Sequence, residues 1–365
     1  MTAHAKAALV RRDVLDIQAV AHGSATASEL AAFGLNPADV LDFSVNTNPL
    51  GPADVVVEAI RQTNWSRYPG DDEAPLRAGL ARQSGVSPEQ VTLGNGSAEL
   101  LWLLALAILE RGDRAIVIGP TFGEYTRAAR VVGADVLDTR SLLDVPSARV
   151  LFICNPNNPT GSQYEPAQIE KLLGTLPETV VVLDEAYAGF VFDRWASEPL
   201  LADHPNLVIL RSLTKDHALP GLRLGYLLAS PEIARAAEAV RPPWSVNAGA
   251  LRAGLATLEP AAQSHVDRAR RLVAISRTLL TDGFTQLGYP VLPSVANFVL
   301  VEVGSATAFR SALLPYGMVV RDATSFGLPG HVRVACRLPA DCSRLLETVV
   351  DLHRRGALPP LVENP

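Results

Sequence analysis

The feature that most constrains the fold of this chain is an alternation of short apolar runs with longer helical stretches between residues 50 and 240. The apolar runs lie at 115–119, 150–154, 180–184, 207–211 and 224–229. They are almost continuous in apolar residues, as is typical of strands that are covered on both faces. Helical stretches such as 97–110 and 166–173 lie between them. We therefore expect an α/β fold in which helices sandwich a mostly parallel central sheet.

A different pattern begins after the sequence RPP at 241–243. A long helical stretch lies at 248–287. Two alternating runs, at 297–303 and 332–336, follow it, and each precedes a shorter helical stretch, at 306–314 and 340–354. This mixture is typical of an α+β unit. We expect a large domain at 50–240 and a smaller α+β domain that combines 1–49 with 241–365.

Composition argues against several classes of partner. Hydrophobic residues make up 48% of the chain, charged residues 19%, and the net charge is -6. A globular protein of this charge has no electrostatic attraction to nucleic acid or to an anionic membrane. The three cysteines, Cys154, Cys336 and Cys342, have no metal-type spacing, so we expect reduced thiols and no metal. Residues 1–20 do not resemble a signal peptide, and the apolar run at 100–109 is too short to cross a bilayer, so we expect a cytoplasmic protein.

Polar motifs follow the predicted strands, at the edge where open α/β sheets bind ligands. The sequence GNGSAE at 94–99 opens a helix, whose free N–H groups and dipole favour a phosphate. A dinucleotide site would need a third glycine where Glu99 stands, which disfavours a nicotinamide dehydrogenase. CNPNNPTG at 154–161, Asp184 and Lys215 each follow a strand, and Lys215 is one of only three lysines among 32 basic residues.

Four motifs together resemble those of the fold-type-I aminotransferases of class I and II, which depend on pyridoxal phosphate (PLP). They are NPTG at 158–161, DEAY at 184–187, SLTK at 212–215 and PGLR at 220–223. Their order, their spacing and their position after strands agree with the family, and the similarity runs through most of the chain. The resemblance implies a PLP enzyme with a large cofactor-binding domain and a small α+β domain. A protein that only binds PLP is disfavoured because the lysine, the aspartate and the arginine are all present.

The resemblance implies a role for each residue around the cofactor ring. Lys215 is expected to carry PLP as a Schiff base and then to act as base or acid at the substrate carbon. Asp184 is expected to pair with the pyridine nitrogen and keep it protonated, which makes the ring an electron sink. Asn158 and Tyr187 are expected to hydrogen-bond the phenolic oxygen, and Phe122 is expected to stack on the ring.

The resemblance also implies a phosphate site. Five residues are expected to form it, namely Ser97, Ala98, Ser212, Thr214 and Arg223. The first two would offer backbone N–H groups, and the others would offer two hydroxyls and a guanidinium. Tyr68, in RYPG at 67–70, matches a tyrosine that reaches the cofactor phosphate of the neighbouring subunit. We therefore expect a homodimer with shared active sites.

The N-terminal region resembles that of the threonine-phosphate decarboxylases of cobalamin biosynthesis, which are relatives of the histidinol-phosphate aminotransferases. The similarity lies in HG at 22–23 and in LDFSVNTNPLGP at 41–52. In the decarboxylases a His-Gly-Gly sequence helps to hold the substrate phosphate. The resemblance implies this role for His22, although Ser24 departs from the pattern. Asn46 is expected to lie beside the substrate.

Arginine-bearing segments near the C-terminus match both groups of enzymes, at Arg321, Arg333 and Arg337. Arg333 and Arg337 are separated by an even number of positions, so on one strand they would share a face. Guanidinium groups suit a substrate with a phosphate and a carboxylate. We expect Arg333 to bind the carboxylate and Arg321 the phosphate of a small phosphorylated amino acid or amino alcohol.

The sequence leaves two reactions open, because the bond that is perpendicular to the cofactor ring is the one that breaks. Loss of the carboxylate would convert L-threonine O-3-phosphate into 1-amino-2-propanol phosphate. Loss of the Cα proton would lead to amino transfer, as in the histidinol-phosphate aminotransferases with 2-oxoglutarate and glutamate. The N-terminal resemblance favours the decarboxylase, and a histidinol-phosphate aminotransferase or a related class I/II aminotransferase is the alternative.

Overall fold

The computed structural model describes residues 9–20, 23–143 and 145–360. The strands, in chain order, are β1 (Leu41–Asp42), β2 (Val91–Gly94), β3 (Arg114–Ile118), β4 (Asp135–Thr139), β5 (Val150–Cys154), β6 (Val180–Asp184), β7 (Leu207–Ser212), β8 (Gly225–Ala229), β9 (Val291–Leu292), β10 (Phe298–Glu302), β11 (Met318–Val319), β12 (Arg321–Asp322) and β13 (His331–Ala335). The α-helices are α1 (Arg12–Leu15), α2 (Ala27–Ala32), α3 (Asp54–Arg61), α4 (Glu73–Ser84), α5 (Ser97–Ile108), α6 (Glu124–Val132), α7 (Pro166–Thr175), α8 (Pro231–Val240), α9 (Ala248–Thr257), α10 (Pro260–Gln286), α11 (Ala306–Leu313) and α12 (Pro339–Arg354).

The larger sheet has seven strands in the order β2-β8-β7-β6-β5-β3-β4. Strands β7, β6, β5, β3 and β4 are parallel to one another, whereas β8 is antiparallel to both β7 and β2. Strand β8 reverses direction because residues 213–224 form an irregular loop that returns the chain to the same edge, where Gly225 pairs with Ser212. The prediction of a mostly parallel central sheet is confirmed.

Helices cover both faces of this sheet because successive strand residues point to opposite sides. In β3, Ile116 and Ile118 pack with helices α4, α7 and α9, whereas Ala115 and Val117 pack with helices α5, α6 and α8. Each large apolar side chain buried in this way contributes about 1.5–3 kcal/mol. The two apolar layers fix the sheet and therefore fix the positions of its strand ends.

The smaller sheet is antiparallel, in the order β12-β13-β10-β9, and packs on helices α10, α11 and α12. Strand β1 pairs in parallel with β11, and Phe43 enters the same apolar core. Residues Val246, Ala250 and Leu251, by contrast, pack in a core of the larger sheet. The domain boundaries expected at 49/50 and 240/241 stay a prediction.

The helical stretch expected at 248–287 is two helices, α9 and α10. Helix α10 begins at Pro260, whose fixed φ and missing N–H suit the first turn of a helix and not its interior. Within the described residues, no helix combines the length and the apolar composition that crossing a bilayer requires.

Candidate active site

The polar strand ends of the larger sheet meet at one edge. Cys154, the last residue of β5, pairs with Asp184, the last residue of β6. Gly225, the first residue of β8, pairs with Ser212 in β7 and with Gly94 in β2. The loops that follow β2, β5, β6 and β7 therefore start side by side, which is the usual location of a ligand site in such a sheet.

Asp184 is a buried carboxylate, with 4% of its surface exposed. The Tyr125 hydroxyl donates a hydrogen bond to Oδ2 at 2.7 Å, and the Ala186 N–H donates one to Oδ1 at 3.0 Å. Burial raises the pKa of Asp184, and the two hydrogen bonds and the charge of Lys215 offset part of this effect. A buried carboxylate of this kind is well suited to a cationic partner.

Lys215 lies in the loop after β7, and its Nζ is 6.0 Å from the centre of the Tyr187 ring. The segment around Asn48 holds this loop. The Asn48 N–H donates to the Lys215 carbonyl at 2.9 Å, and the Asn48 side-chain amide donates to the Asp216 carbonyl at 2.8 Å. The amine of Lys215 is therefore presented from a backbone that is fixed on two sides.

A cradle lies where the start of helix α5 meets the start of β8. Ser97 and Ala98 are the first residues of this helix. A Cβ atom on Gly225 would lie 2.5 Å from the Ser97 nitrogen, and one on Gly96 would lie 2.6 Å from Nη2 of Arg223. The close approach therefore requires glycine at both positions, and it brings free helix N–H groups beside a guanidinium.

Two hydroxyls and a guanidinium complete this cradle. Ser212 Oγ and Thr214 Oγ1 are both buried and lie 2.8 Å apart. Arg223 has a φ of 60°, in the left-handed region, and its Nη1 donates to the Pro220 carbonyl at 3.1 Å. A non-glycine residue in this conformation costs about 1–2 kcal/mol, so the surrounding loop holds the arginine in place. Amides, hydroxyls and a guanidinium together are the donors that a phosphate requires.

A cavity of about 190 Å³ opens beside Lys215. Six of the residues that the sequence singles out line it, namely Asn46, Phe122, Asn158, Tyr187, Lys215 and Arg333. The Tyr187 ring packs edge-on against Phe298, with ring centres 5.1 Å apart. The cavity therefore joins residues of the larger sheet to residues of the smaller one.

Arg333 is buried at the small-sheet side of this cavity. Its Nη1 donates to Oδ1 of Asn158 and its Nη2 to the Ser44 carbonyl at 2.8 Å. With its amide oxygen turned toward Arg333, Asn46 accepts from Nε at 3.2 Å and from Nη1 at 3.1 Å. Among the described residues no carboxylate forms an ion pair with Arg333, and burial lowers its pKa to about 10. The cavity thus contains a guanidinium whose hydrogen-bond partners are neutral oxygens.

Arg321 also lines the cavity and is buried. Its Nη2 donates to Ser325 Oγ at 2.7 Å, and its guanidinium lies 5.4 Å from the centre of the Phe326 ring. The N-terminal segment contacts it, because a Cβ on Gly23 would lie 2.1 Å from Cδ of Arg321. His22, for which a role in phosphate binding is expected, lies outside the described residues.

Arg337, which is expected to bind the substrate, lies outside the cavity, and Tyr68, which is expected to reach the neighbouring subunit, lies at the surface. Arg337 does not line the cavity, because β13 ends at Ala335 and the shared-face argument therefore does not extend to position 337. Its guanidinium instead contacts Asp341 Oδ2 at 3.1 Å and the Asp42 carbonyl at 3.2 Å. Tyr68 is 79% exposed and stacks on Trp244, with ring centres 4.5 Å apart.

Sequence reasoning missed three residues that support the site. Tyr125 lies only three positions after Phe122, in a segment for which we considered only a stacking ring. Asn48 and Ser44 lie in the segment from which only Asn46 was selected. Ser44 contributes a backbone carbonyl, which any residue type could supply, so the sequence contained no signal for it.

Comparisons with known proteins agree with this geometry. The profile of the family "Aminotransferase class I and II" matches residues 38–349. A histidinol-phosphate aminotransferase of Symbiobacterium thermophilum is 37% identical over 326 residues, which are 85% of this chain and 90% of that protein.

Two solved structures share the fold. Histidinol-phosphate aminotransferase of Sinorhizobium meliloti, in complex with pyridoxal-5'-phosphate, has a TM-score of 0.83 at 23% identity, over 96% of this chain and 99% of that one. L-threonine-O-3-phosphate decarboxylase of Porphyromonas gingivalis has a TM-score of 0.78 at 27% identity, over 86% of this chain and all (100%) of that one. Both therefore support fold type I.

The preference for threonine-phosphate decarboxylation is wrong. Relatives that share 34–37% identity over most of the chain are histidinol-phosphate aminotransferases, which supports the alternative. The physical reason lies in the segment at 41–52 on which the preference rested. Its Ser44, Asn46 and Asn48 contact Arg333 and the Lys215 loop, to which the sequence assigns the same roles in both reactions, so the motif does not distinguish between them.

The site also fits the cofactor that the sequence predicts. The cradle of amides, hydroxyls and guanidinium suits a phosphate, the buried Asp184 suits a protonated ring nitrogen, and the amine of Lys215 faces the same cavity as Asn158 and Tyr187. PLP is the cofactor with these groups, and it is the cofactor of this family. The chain therefore belongs to the class I and II aminotransferases and is a PLP-dependent enzyme.

Proposed function

We propose that this enzyme transfers an amino group between histidinol phosphate and 2-oxoglutarate, a step of histidine biosynthesis. The relatives named histidinol-phosphate aminotransferase, at 34–37% identity, support this choice. The observation that carries it is a pair of buried guanidinium groups, Arg321 and Arg333, in the cavity that Lys215 also lines. One enzyme that handles both a phosphate ester and a dicarboxylic acid needs more than one site for an anion.

The strand-end loops would hold the cofactor. When bound, PLP supplies the aldehyde and the electron-withdrawing ring on which amino groups are exchanged. Its phosphate end would meet the backbone of Ser97 and Ala98 and the side chains of Ser212, Thr214 and Arg223.

The ring end has its own set of residues. Asp184 would face the ring nitrogen, Asn158 and Tyr187 would face the phenolic oxygen, and Phe122 would cover one face of the ring. Lys215 would carry the cofactor.

Lys215 is also the group that we assign to proton transfer. Its Nζ would take the proton from the substrate carbon that bears the amino group and would return a proton at the cofactor carbon. The fixed backbone at Lys215 and Asp216, held by Asn48, limits where this amine can move.

The two arginines would orient the substrates. Arg333 donates to neutral oxygens, so a substrate carboxylate would add the negative charge that this guanidinium lacks. We assign it to the carboxylate of glutamate and 2-oxoglutarate. We assign Arg321 to the phosphate of histidinol phosphate, beside the N-terminal segment at Gly23. Asn46, which contacts Arg333, would lie beside either substrate.

We further propose a cytoplasmic homodimer. Tyr68 and Trp244 stack on each other and are 79% and 56% exposed, and Trp65 is also exposed, at 63%. Exposed aromatic residues that stack on one another are typical of interfaces. In the dimer Tyr68 would reach the cofactor phosphate of the neighbouring subunit. Sedimentation of the holoenzyme at micromolar concentration tests the dimer, and a monomer would contradict it.

The proposed reaction has a direct test. The holoenzyme is mixed with histidinol phosphate and 2-oxoglutarate, and glutamate is measured with glutamate dehydrogenase. We expect turnover in the wild type and none in Lys215→Ala. Aromatic amino acids and aspartate are offered in parallel as amino donors at equal concentration. A higher kcat/KM with any of them than with histidinol phosphate would contradict the proposed substrate.

A further inference from the structure

The hydroxyl of Tyr125 is buried against the carboxylate of Asp184. It donates to Oδ2 at 2.7 Å, and the Tyr125 side chain has none of its surface exposed. We infer that Tyr125 is a positioning residue that keeps Asp184 ionised, so that the ring nitrogen of bound PLP keeps its proton. This inference concerns the cofactor and does not depend on which substrate the enzyme uses.

The geometry holds this hydroxyl in one place. Tyr125 lies in helix α6 and stacks on Phe152 of β5, with ring centres 5.4 Å apart and ring planes 11° apart. Phe122, which lines the cavity, packs edge-on against it at 5.8 Å and 86°. Two aromatic contacts at different angles leave the Tyr125 ring little freedom to turn, so the hydroxyl stays directed at Asp184.

The surroundings of Asp184 favour its protonated form, which the hydrogen bond from the Tyr125 hydroxyl opposes. Burial raises the pKa of the carboxyl group, and the nearby Glu185 raises it further, whereas Lys215 lowers it. Cys154 adds no charge, because burial raises its pKa to about 12 and it stays a thiol near neutral pH. Among the described side chains, Tyr125 is the one that donates a hydrogen bond to Asp184.

Removing the hydroxyl would move a proton. Without Tyr125 the carboxylate keeps only the N–H of Ala186 as a donor, so Asp184 becomes more basic. The proton that lies between the ring nitrogen and Asp184 then moves from the nitrogen to the carboxylate oxygen, and no atom is gained or lost. Loss of a hydrogen bond to a charged group corresponds to a shift of roughly tenfold to hundredfold in the proton equilibrium between the ring nitrogen and Asp184.

The test uses Tyr125→Phe, which keeps the ring and both aromatic contacts. Apoenzyme is loaded with PLP that carries ¹⁵N in its ring, and the ¹⁵N resonance of the holoenzyme is recorded at neutral pH without substrate. We expect the resonance of a protonated pyridine in the wild type and a displacement toward the unprotonated position in the variant.

Controls separate this role from a structural one. Tyr289→Phe removes another buried hydroxyl, which contacts His353 at 3.2 Å in the other core, and should leave the ¹⁵N resonance unchanged. Phe152→Leu keeps the Tyr125 hydroxyl but removes its stacking partner, and should give an intermediate displacement even if Tyr125→Phe does not fold. An unprotonated nitrogen in the wild type, or an unchanged resonance in a folded Tyr125→Phe or Phe152→Leu variant, would overturn the inference.

Discussion

Replacing Arg333 with glutamine should slow the reaction of one of the two proposed amino donors, glutamate, and leave that of the other, histidinol phosphate, nearly unchanged. Burial without a carboxylate partner lowers the pKa of Arg333 from its ordinary value to about 10. Since one pKa unit corresponds to about 1.4 kcal/mol, the charge costs the site about 3 kcal/mol before a substrate binds. A bound carboxylate recovers a similar free energy by pairing with the guanidinium. Loss of the guanidinium should therefore lower kcat/KM for glutamate about 100-fold.

Histidinol phosphate carries a phosphate and no carboxylate, so its reaction should change little in the Arg333→Gln variant. Glutamine keeps a side-chain donor for Asn158 and the Ser44 carbonyl, which limits the structural damage. Each half-reaction is followed separately by stopped-flow absorbance of the holoenzyme, first with glutamate and then with histidinol phosphate. The ratio of the two rate constants is the measured quantity.

Arg337→Gln is the matched control, because the Arg337 guanidinium contacts Asp341 and the Asp42 carbonyl outside the cavity. We expect both half-reactions to keep their wild-type rate constants in this variant. If Arg333→Gln slows both half-reactions to the same extent, the guanidinium does not discriminate between the substrates and our assignment is wrong.

Three further predictions concern the cofactor and the core. Lys215→Ala should abolish both turnover and the visible absorbance of bound PLP, and a coloured variant would contradict the assignment. Gly225→Ala should place a methyl group 2.5 Å from the Ser97 nitrogen, at a cost of about 1–3 kcal/mol, and should weaken PLP binding in an apoenzyme titration. Phe284→Ala, in the fully buried core of the smaller sheet, should lower the free energy of unfolding in urea by about 3–5 kcal/mol. Loss of PLP affinity in the Phe284→Ala variant would contradict our expectation that the core of the smaller sheet does not influence the cofactor site.

Much of the larger sheet could be predicted because its strands are buried on both faces. The runs predicted at 150–154 and 180–184 coincide with β5 and β6. Strand β4 was missed because it lies at the edge of the sheet and contains Asp135 and Asp138, which interrupt the apolar pattern. An edge strand needs only one partner and can therefore be polar.

The candidate site likewise contains residues that the sequence predicts and residues that it does not. Residues whose side-chain type is expected to matter, such as Lys215 and Asp184, lie in recognisable motifs. The structure brings them to one edge of the sheet. Arg337 was misplaced because a one-dimensional pattern does not show that β13 ends at Ala335. The reaction itself could not be predicted, because the motifs at 41–52 support contacts that both reactions use.

The segment at 44–48 connects two parts of the candidate active site. Its first residues hold the guanidinium of Arg333 and its last residue holds the loop of Lys215. An extended chain spans at most about 3.3–3.6 Å per residue, so these five residues limit how far apart the contacts with Arg333 and with the Lys215 loop can lie. A one-residue deletion within this segment should therefore displace the Lys215 loop relative to Arg333, with both of those side chains left intact.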